Sequence, residues 1–421
     1  MAAKRRTLAI DGGSPVRSDP LPRRMQIGDE EVAAVNAVLD RCRTQGGAFD
    51  RYGGVEVDAY EHEFAAALGM KFGAATSSGT AAIHAALGAL RLDVGQEVIS
   101  SPVTDPGAVF PILWCNCVPV FADADPRTMN ISAKGVEQCI TDKTRAVIAA
   151  HIAGQPCNMD AIMRVAEKHD LVVIEDASQA HGALFKGRPV GSFGHLATFS
   201  LMSGKHTTAG GQGGMVLTND EDLYWNVKRF ADRGKPFNSD ASDNLFMGLN
   251  YRMTELNAAI GRVQLRKTEA IANARRKLAN KIKRATKDLK GVRLGHQITG
   301  AKSVYWFLLW RFDHDAFRVD KATFAKALAA EGLPAEADYS TPYDVRNVIV
   351  NRRTYGESGC PWVCPFYGRE IDYTDACPGA HQAVRDHFMV YFHECWTDRE
   401  IADLATALAK LEKAYLKRGK K

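Results

Sequence analysis

The run Leu171-Val172-Val173-Ile174-Glu175-Asp176 is apolar at four successive positions and ends in two carboxylates. A strand with one face in water alternates apolar and polar residues, so an uninterrupted run predicts burial on both faces, as in a parallel sheet covered by helices. Further strand patterns at 97–100, 118–122, 146–150, 196–200 and 215–218 are interspersed with helical patterns at 133–140, 159–168 and 221–233. That order predicts an α/β chain with a mainly parallel sheet and crossover helices. Helices are also predicted at 29–41 and 57–68, and a long one rich in Ala, Lys and Arg over 254–289. The long helix reaches from one domain into another, which divides the chain into an extended arm (1–24), a large domain (25–270) and a smaller C-terminal α/β domain (271–421). The small domain is expected to hold a strand at 303–311 and helices at 321–331 and 398–417, with an irregular stretch at 360–373. At 421 residues and 46% hydrophobic content, the chain can bury a large core.

The strand at 196–200 ends in Phe199-Ser200 and leads five residues later to Lys205, then to Gly210-Gly211-Gln212-Gly213-Gly214. A lysine between an apolar strand and a glycine turn is poorly placed for a core and well placed for a cleft. Asp176 ends another strand at the carboxyl edge, where open α/β sheets bind ligands. A lysine amine can form a Schiff base with an aldehyde cofactor, and an aspartate can keep a pyridine nitrogen protonated. Upstream, Thr76-Ser77-Ser78-Gly79-Thr80 turns into a helix whose Ile83, Leu87 and Leu90 recur at helical spacing. Ser78 is the expected cap, and the free N–H groups of Gly79, Thr80 and Ala81 form an anion site; read alone, the same turn is also a plain capped helix.

On these residues the chain resembles the DegT/StrS family of pyridoxal-phosphate-dependent sugar and cyclitol aminotransferases, which have the type I aminotransferase fold. The resemblance runs from about Leu8 to the C-terminal helix and is densest over 76–265. It implies that Lys205 is the Schiff-base lysine. Asp176 opens an Asp-x-x-Gln-x-His pattern and would pair with the ring nitrogen and keep it cationic. Ser78, Gly79, Thr80 and Ser200 are implied phosphate contacts, and Gln179 a donor to the ring's phenolic oxygen. Asn250, within Gly248-Leu249-Asn250-Tyr251-Arg252-Met253, would reach the phosphate of a neighbouring subunit, making the protein a homodimer with shared active sites. Gln179 and Ser200 also read as ordinary buried polar residues, Arg252 as a structural arginine or a substrate contact, and His181 and His206 as structural residues or proton-tuning groups near the pocket. Lys205, once released, is the expected proton shuttle.

Two departures stand out. Many family members place an aromatic ring over the cofactor after Pro-x-Thr; this chain has Pro102-Val103-Thr104-Asp105, so Asp105 occupies that cofactor-facing position and either another group covers the ring or Asp105 meets an amine or hydroxyl of the substrate. The glycine turn carries Gln212 where glutamate is commoner, and lies one residue further from the lysine.

The implied activity is transfer of an amino group from glutamate or glutamine to a keto sugar, nucleotide-linked, or a keto cyclitol, in the biosynthesis of an amino sugar, aminocyclitol or antibiotic. The arm Leu8–Arg17 is similar to the start of cyclitol aminotransferases. The alternatives are a sugar dehydratase of the same family, in which histidine replaces the lysine, and a non-catalytic sensor on the same fold. The net charge of +5 is outweighed by seven basic residues near the ends, Lys4, Arg5, Arg6, Lys417, Arg418, Lys420 and Lys421, so no nucleic-acid partner is expected. Nine scattered cysteines and a start without an apolar run point to a reducing cytoplasm, and no run reaches membrane-span length. Cys360 and Cys364 lack further ligands at zinc spacing, so free thiols rather than a metal site are expected there.

Overall fold

The computed structural model describes residues 7–47, 49 and 54–417. Most of the terminal basic residues and the Arg51-Tyr52 part of the expected loop at 45–54 lie outside them. Two helices, α1 (Asp29–Gln45) and α2 (Glu56–Leu68), lead to strand β1 (Phe72–Thr76) and helix α3 (Gly79–Ala89). Then follow β2 (Glu97–Ser100), β3 (Val118–Phe121), β4 (Thr144–Ala150) and β5 (Val172–Asp176). A hairpin of β6 (Leu184–Phe185) and β7 (Arg188–Pro189) precedes β8 (Leu196–Ser200) and β9 (Gly214–Thr218). The central sheet has the order β1-β9-β8-β5-β4-β2-β3; β9 alone runs against its neighbours.

Burial explains the sequence pattern. Val173, Ile174, Val147 and Ile148 are all fully buried, with one set of apolar side chains packed on each face of the sheet. Glu175 and Asp176, adjacent on β5, point to opposite sides. Glu175 accepts the amides of Gly191, Phe193 and Gly194 and meets His151 Nε2 at 3.2 Å, so it ties the turn after the hairpin to the sheet.

The long helix Glu255–Ala285 packs on α1 and α2 and, at its far end, on the C-terminal helix Asp398–Tyr415. A second, antiparallel sheet combines Val292–Leu294, Leu308–Phe312, His387–Val390 and Ala335–Glu336. Its core includes Trp310, Phe312, Phe317, Phe324 and Phe388. The strand expected at 303–311 begins only at Leu308. Upstream of it, the amides of Val304 and Trp306 bond to the carbonyls of Gly154 and Ala153, and Tyr305 turns to a φ of 50°. Those bonds pull 303–307 off the strand path and onto the central sheet's carboxyl edge. Cys360 and Cys364 are joined in a disulfide, in contrast to the free thiols expected there. The arm runs along its own chain: Leu8 is buried in the second core, Glu331 accepts the amides of Ala9 and Val16, and Arg17 pairs with Glu400 and Asp403 at 2.9 and 2.8 Å.

Candidate active site

Lys205 sits in the loop joining β8 to β9 and is 7% exposed. The loop is held at its base by Leu201 N–H to Gly213 O and Ala209 N–H to Leu201 O, and Asn257 Nδ2 donates to Ala209 O at its outer turn. Trp306, delivered by the bent segment before Leu308, lies with its ring centroid 3.9 Å from Lys205 Nζ and donates its indole N–H to Gly204 O. Burial lowers the pKa of the amine from 10.5 to about 8, and the charges of Asp176 and Asp105 pull in the opposite direction. Lys205 thus lies within electrostatic reach of both carboxylates.

Asp176 is buried at the carboxyl end of β5, and burial raises its pKa; Ser178 N–H donates to Oδ1 at 3.0 Å, and Lys205 offsets part of the rise. A buried carboxylate with one backbone donor is short of positive partners, and a ring N–H⁺ is the group that would complete it. Gln179, three residues on, has Oε1 fixed by Ala153 N–H (2.8 Å) and donates from Nε2 to the Tyr339 hydroxyl (2.6 Å). One N–H of its amide remains for a ligand.

Helix α3 starts where the sequence predicts a capped helix. Ser78 caps α3 by accepting Ala81 N–H at 3.1 Å. A Cβ on Gly79 would stand 2.5 Å from Ser200 Cβ, so the first turn of α3 lies directly against Ser200 at the end of β8. Only glycine permits that approach. Thr80 Oγ1 lies beside Gly107, whose N–H is held by exposed Asp105 Oδ1 at 2.9 Å. A helix N-terminus with two hydroxyls beside it suits a phosphate dianion. The donor set therefore fits pyridoxal phosphate, with the phosphate at one end, Asp176 at the ring nitrogen and Lys205 at the aldehyde.

The remaining candidates are less central. His181 lies behind the loop, with Nε2 3.0 Å from Ser200 O and Nδ1 2.8 Å from Thr207 Oγ1; burial lowers its pKa to about 3, which keeps it neutral. His206 is fully buried, turns Nε2 toward Val304 O and is likewise held neutral by burial. Asn250 is exposed, on a segment that abuts the phosphate turn through the Ser77 N–H to Tyr251 O bond. Arg252 pairs with Asp232 at 2.6 Å. Sequence reasoning missed Tyr339 and also Arg24 and Gln26, which bond to the lysine loop from the arm. No local pattern marks such contacts.

Known proteins resemble this chain over nearly its whole length. The profile of the DegT/DnrJ/EryC1/StrS aminotransferase family matches residues 25–373. A putative L-glutamine:3-amino-2,3-dideoxy-scyllo-inosose aminotransferase from Streptoalloteichus tenebrarius is 30% identical over 417 residues, covering 96% of this chain and 98% of that protein. GDP-perosamine synthase from Caulobacter vibrioides is 38% identical over 240 residues, 57% of this chain and 63% of that protein. Among solved structures, an aminotransferase from Psychrobacter cryohalolentis superposes with a TM-score of 0.82 at 29% identity, over 94% of this chain and 99% of that one.

Proposed function

We propose, for a chain that belongs to the DegT/DnrJ/EryC1/StrS aminotransferase family, that the pocket around Lys205 is where this pyridoxal-phosphate-dependent aminotransferase moves an amino group from glutamate or glutamine to a keto cyclitol or keto sugar. The observation that carries the reading is one buried amine within electrostatic reach of a buried carboxylate, together with a helix N-terminus that glycine brings against Ser200.

When bound, the cofactor supplies an electron sink for the carbon that loses a proton. The protein's residues do the rest. The N–H groups of Gly79 and Thr80, with the hydroxyls of Ser78, Thr80 and Ser200, would hold the phosphate. Asp176 would hold the ring nitrogen, and Gln179, steadied by Ala153 and Tyr339, would offer its remaining N–H to the phenolic oxygen. Lys205 would anchor the cofactor and, once released, would take and return a proton at the substrate carbon next to the nitrogen. Trp306 keeps water from that amine. His206, turned toward Val304, is unsuited to replace the lysine, which disfavours the dehydratase alternative.

The acceptor class rests on a relative that matches over nearly its whole length and is named for an amino-bearing scyllo-inosose. A homodimer with Asn250 completing the partner's phosphate site is supported by the surface around it. There Met247 is 89% exposed, and a groove of about 570 Å³ is lined by His84, Trp114, Phe230 and Tyr251. We place the domain boundary near residue 270 in the long helix, after an arm of 24 residues, and the enzyme in the cytoplasm. Among the described residues no helix is long and apolar enough to cross a membrane.

The test supplies purified protein and pyridoxal phosphate with glutamine or glutamate and a panel of keto cyclitols and keto sugars, and detects aminated product by mass spectrometry. Product with wild type and none with Lys205→Ala supports the reading; no product with any pair contradicts it. Mixing Lys205→Ala with Asn250→Ala subunits restores activity only if sites are shared.

A further inference from the structure

We infer that Arg24 and Gln26, where the N-terminal arm joins the large domain, are positioning residues of the reaction, clamping the backbone on which Lys205 is carried, with Glu394 fixing the clamp. The inference rests on Lys205 being the cofactor-bearing lysine.

Three consecutive carbonyls, those of Gly204, Lys205 and His206, take their hydrogen bonds from side chains far away in sequence. Arg24 Nη1 donates to Lys205 O at 2.7 Å and Nη2 to His206 O at 2.9 Å; Gln26 Nε2 donates to Lys205 O at 2.9 Å; and Trp306 Nε1 donates to Gly204 O at 3.3 Å. A planar guanidinium presents a fixed fork of N–H donors that meets two adjacent acceptors at once with little loss of freedom. The third edge of Arg24 is also used: Nε donates to Glu394 Oε1 at 2.8 Å. The other oxygen of Glu394 takes Arg275 Nε at 2.9 Å, and Arg275 Nη1 donates to Tyr305 O, next to the Trp306 that covers the lysine. Contacts therefore run in a closed circuit from the lysine backbone through Arg24, Glu394 and Arg275 to the indole over the lysine amine. Burial would raise the Glu394 pKa, but the two guanidiniums outweigh it and hold the carboxylate charged.

Both ends of the arm are fastened. Upstream, Arg17 is paired with Glu400 and Asp403 on the C-terminal helix; downstream, Gln26 O accepts Gln264 Nε2 from the long helix. The arm thus links the position of the second sheet's helices to that of the lysine loop. Releasing the three carbonyls to water would let the loop relax and expose the amine, which loses both its aim and its desolvation.

The experiment uses full-length Arg24→Met, Arg24→Lys and Gln26→Leu beside wild type. Pyridoxal phosphate binding is followed by visible absorbance, the pH midpoint of covalent capture by rate against pH, and folding by the melting temperature of the apoprotein. We expect Arg24→Met to bind the cofactor about tenfold more weakly, the size of one lost charge-assisted hydrogen bond, and its capture midpoint to move upward toward that of an ordinary lysine. Arg24→Lys should recover part of the loss, and Gln26→Leu should show the same changes in smaller measure. Wild-type affinity and midpoint in both Arg24→Met and Gln26→Leu would overturn the inference. So would a lowered melting temperature with an unmoved midpoint, which would make the arm a fold-stabilising element only. If Arg24→Met does not fold, Gln26→Leu decides by the same two readouts. Wild type that captures no cofactor would overturn the reading of Lys205 itself, and this inference with it.

Discussion

Adding pyridoxal phosphate to the apoprotein from about pH 6 to about pH 10 reads the ionisation of Lys205, because only the free amine attacks an aldehyde. Burial lowers the pKa of this amine from 10.5 to about 8, against the opposing charges of Asp176 and Asp105. At about 1.36 kcal/mol per pKa unit this is roughly 3 kcal/mol against the ammonium, and at neutral pH it raises the free-amine fraction from about 1 in 3,000 to about 1 in 10. The capture rate, followed as growth of visible absorbance and divided by the rate constant of the unprotonated form of a small primary amine at the same pH to remove the cofactor's own ionisations, should climb about tenfold per pH unit and level off near 8. A rate still rising tenfold per unit beyond about pH 9.5 would refute the burial argument, since that is the behaviour of a solvated lysine. Asp105→Asn removes one of the two carboxylates that favour the ammonium, so its midpoint should fall below that of wild type. Asp105 is exposed, which keeps the change below about one unit. An upward move would contradict the assigned geometry.

Asp176→Asn retains an acceptor for Ser178 N–H, so the fold should persist, while the ring nitrogen loses its counter-charge. Single-turnover transfer from glutamate should slow by on the order of 10²–10³, the cost of removing one preorganised electrostatic partner; an unchanged rate would remove Asp176 from the site. In Gly79→Ala the new methyl would stand 2.5 Å from Ser200 Cβ. It should loosen cofactor binding by about 5- to 150-fold through overpacking worth about 1–3 kcal/mol, as read by equilibrium dialysis; wild-type retention would place the phosphate elsewhere. His181, with a pKa of about 3, and His206, held lower than usual by burial, should give imidazole NMR signals that do not move between about pH 5 and 8. Movement of either would reopen a role for it in proton transfer.

The parts of the site that follow from local rules were legible in the sequence. The apolar run 171–174 requires burial on both faces, Ser78 before a small-residue helix is a cap, and a lysine after a strand cannot be core. What the sequence leaves open is set by distant pairing. Arg24 and the carbonyl it serves are 181 residues apart. The stretch 303–311 reads as one strand, yet backbone bonds to Ala153 and Gly154 bend its first half toward the lysine loop, where Trp306 lies over the amine. Tyr339 steadies Gln179 across 160 residues, from a segment with no helical or strand period to announce it. Glu175 and Asp176 are chemically alike and adjacent. The two-residue period of a strand sends one to the turn after the hairpin and the other to the pocket.

The central claim is that Lys205 carries the cofactor and releases it to an amino donor. Its most direct test is the visible absorbance of purified protein with pyridoxal phosphate, for wild type and Lys205→Ala, before and after excess glutamate or glutamine. The account predicts a visible band in wild type that Lys205→Ala lacks and that the donor bleaches. The same band in Lys205→Ala, or none in wild type, would contradict it.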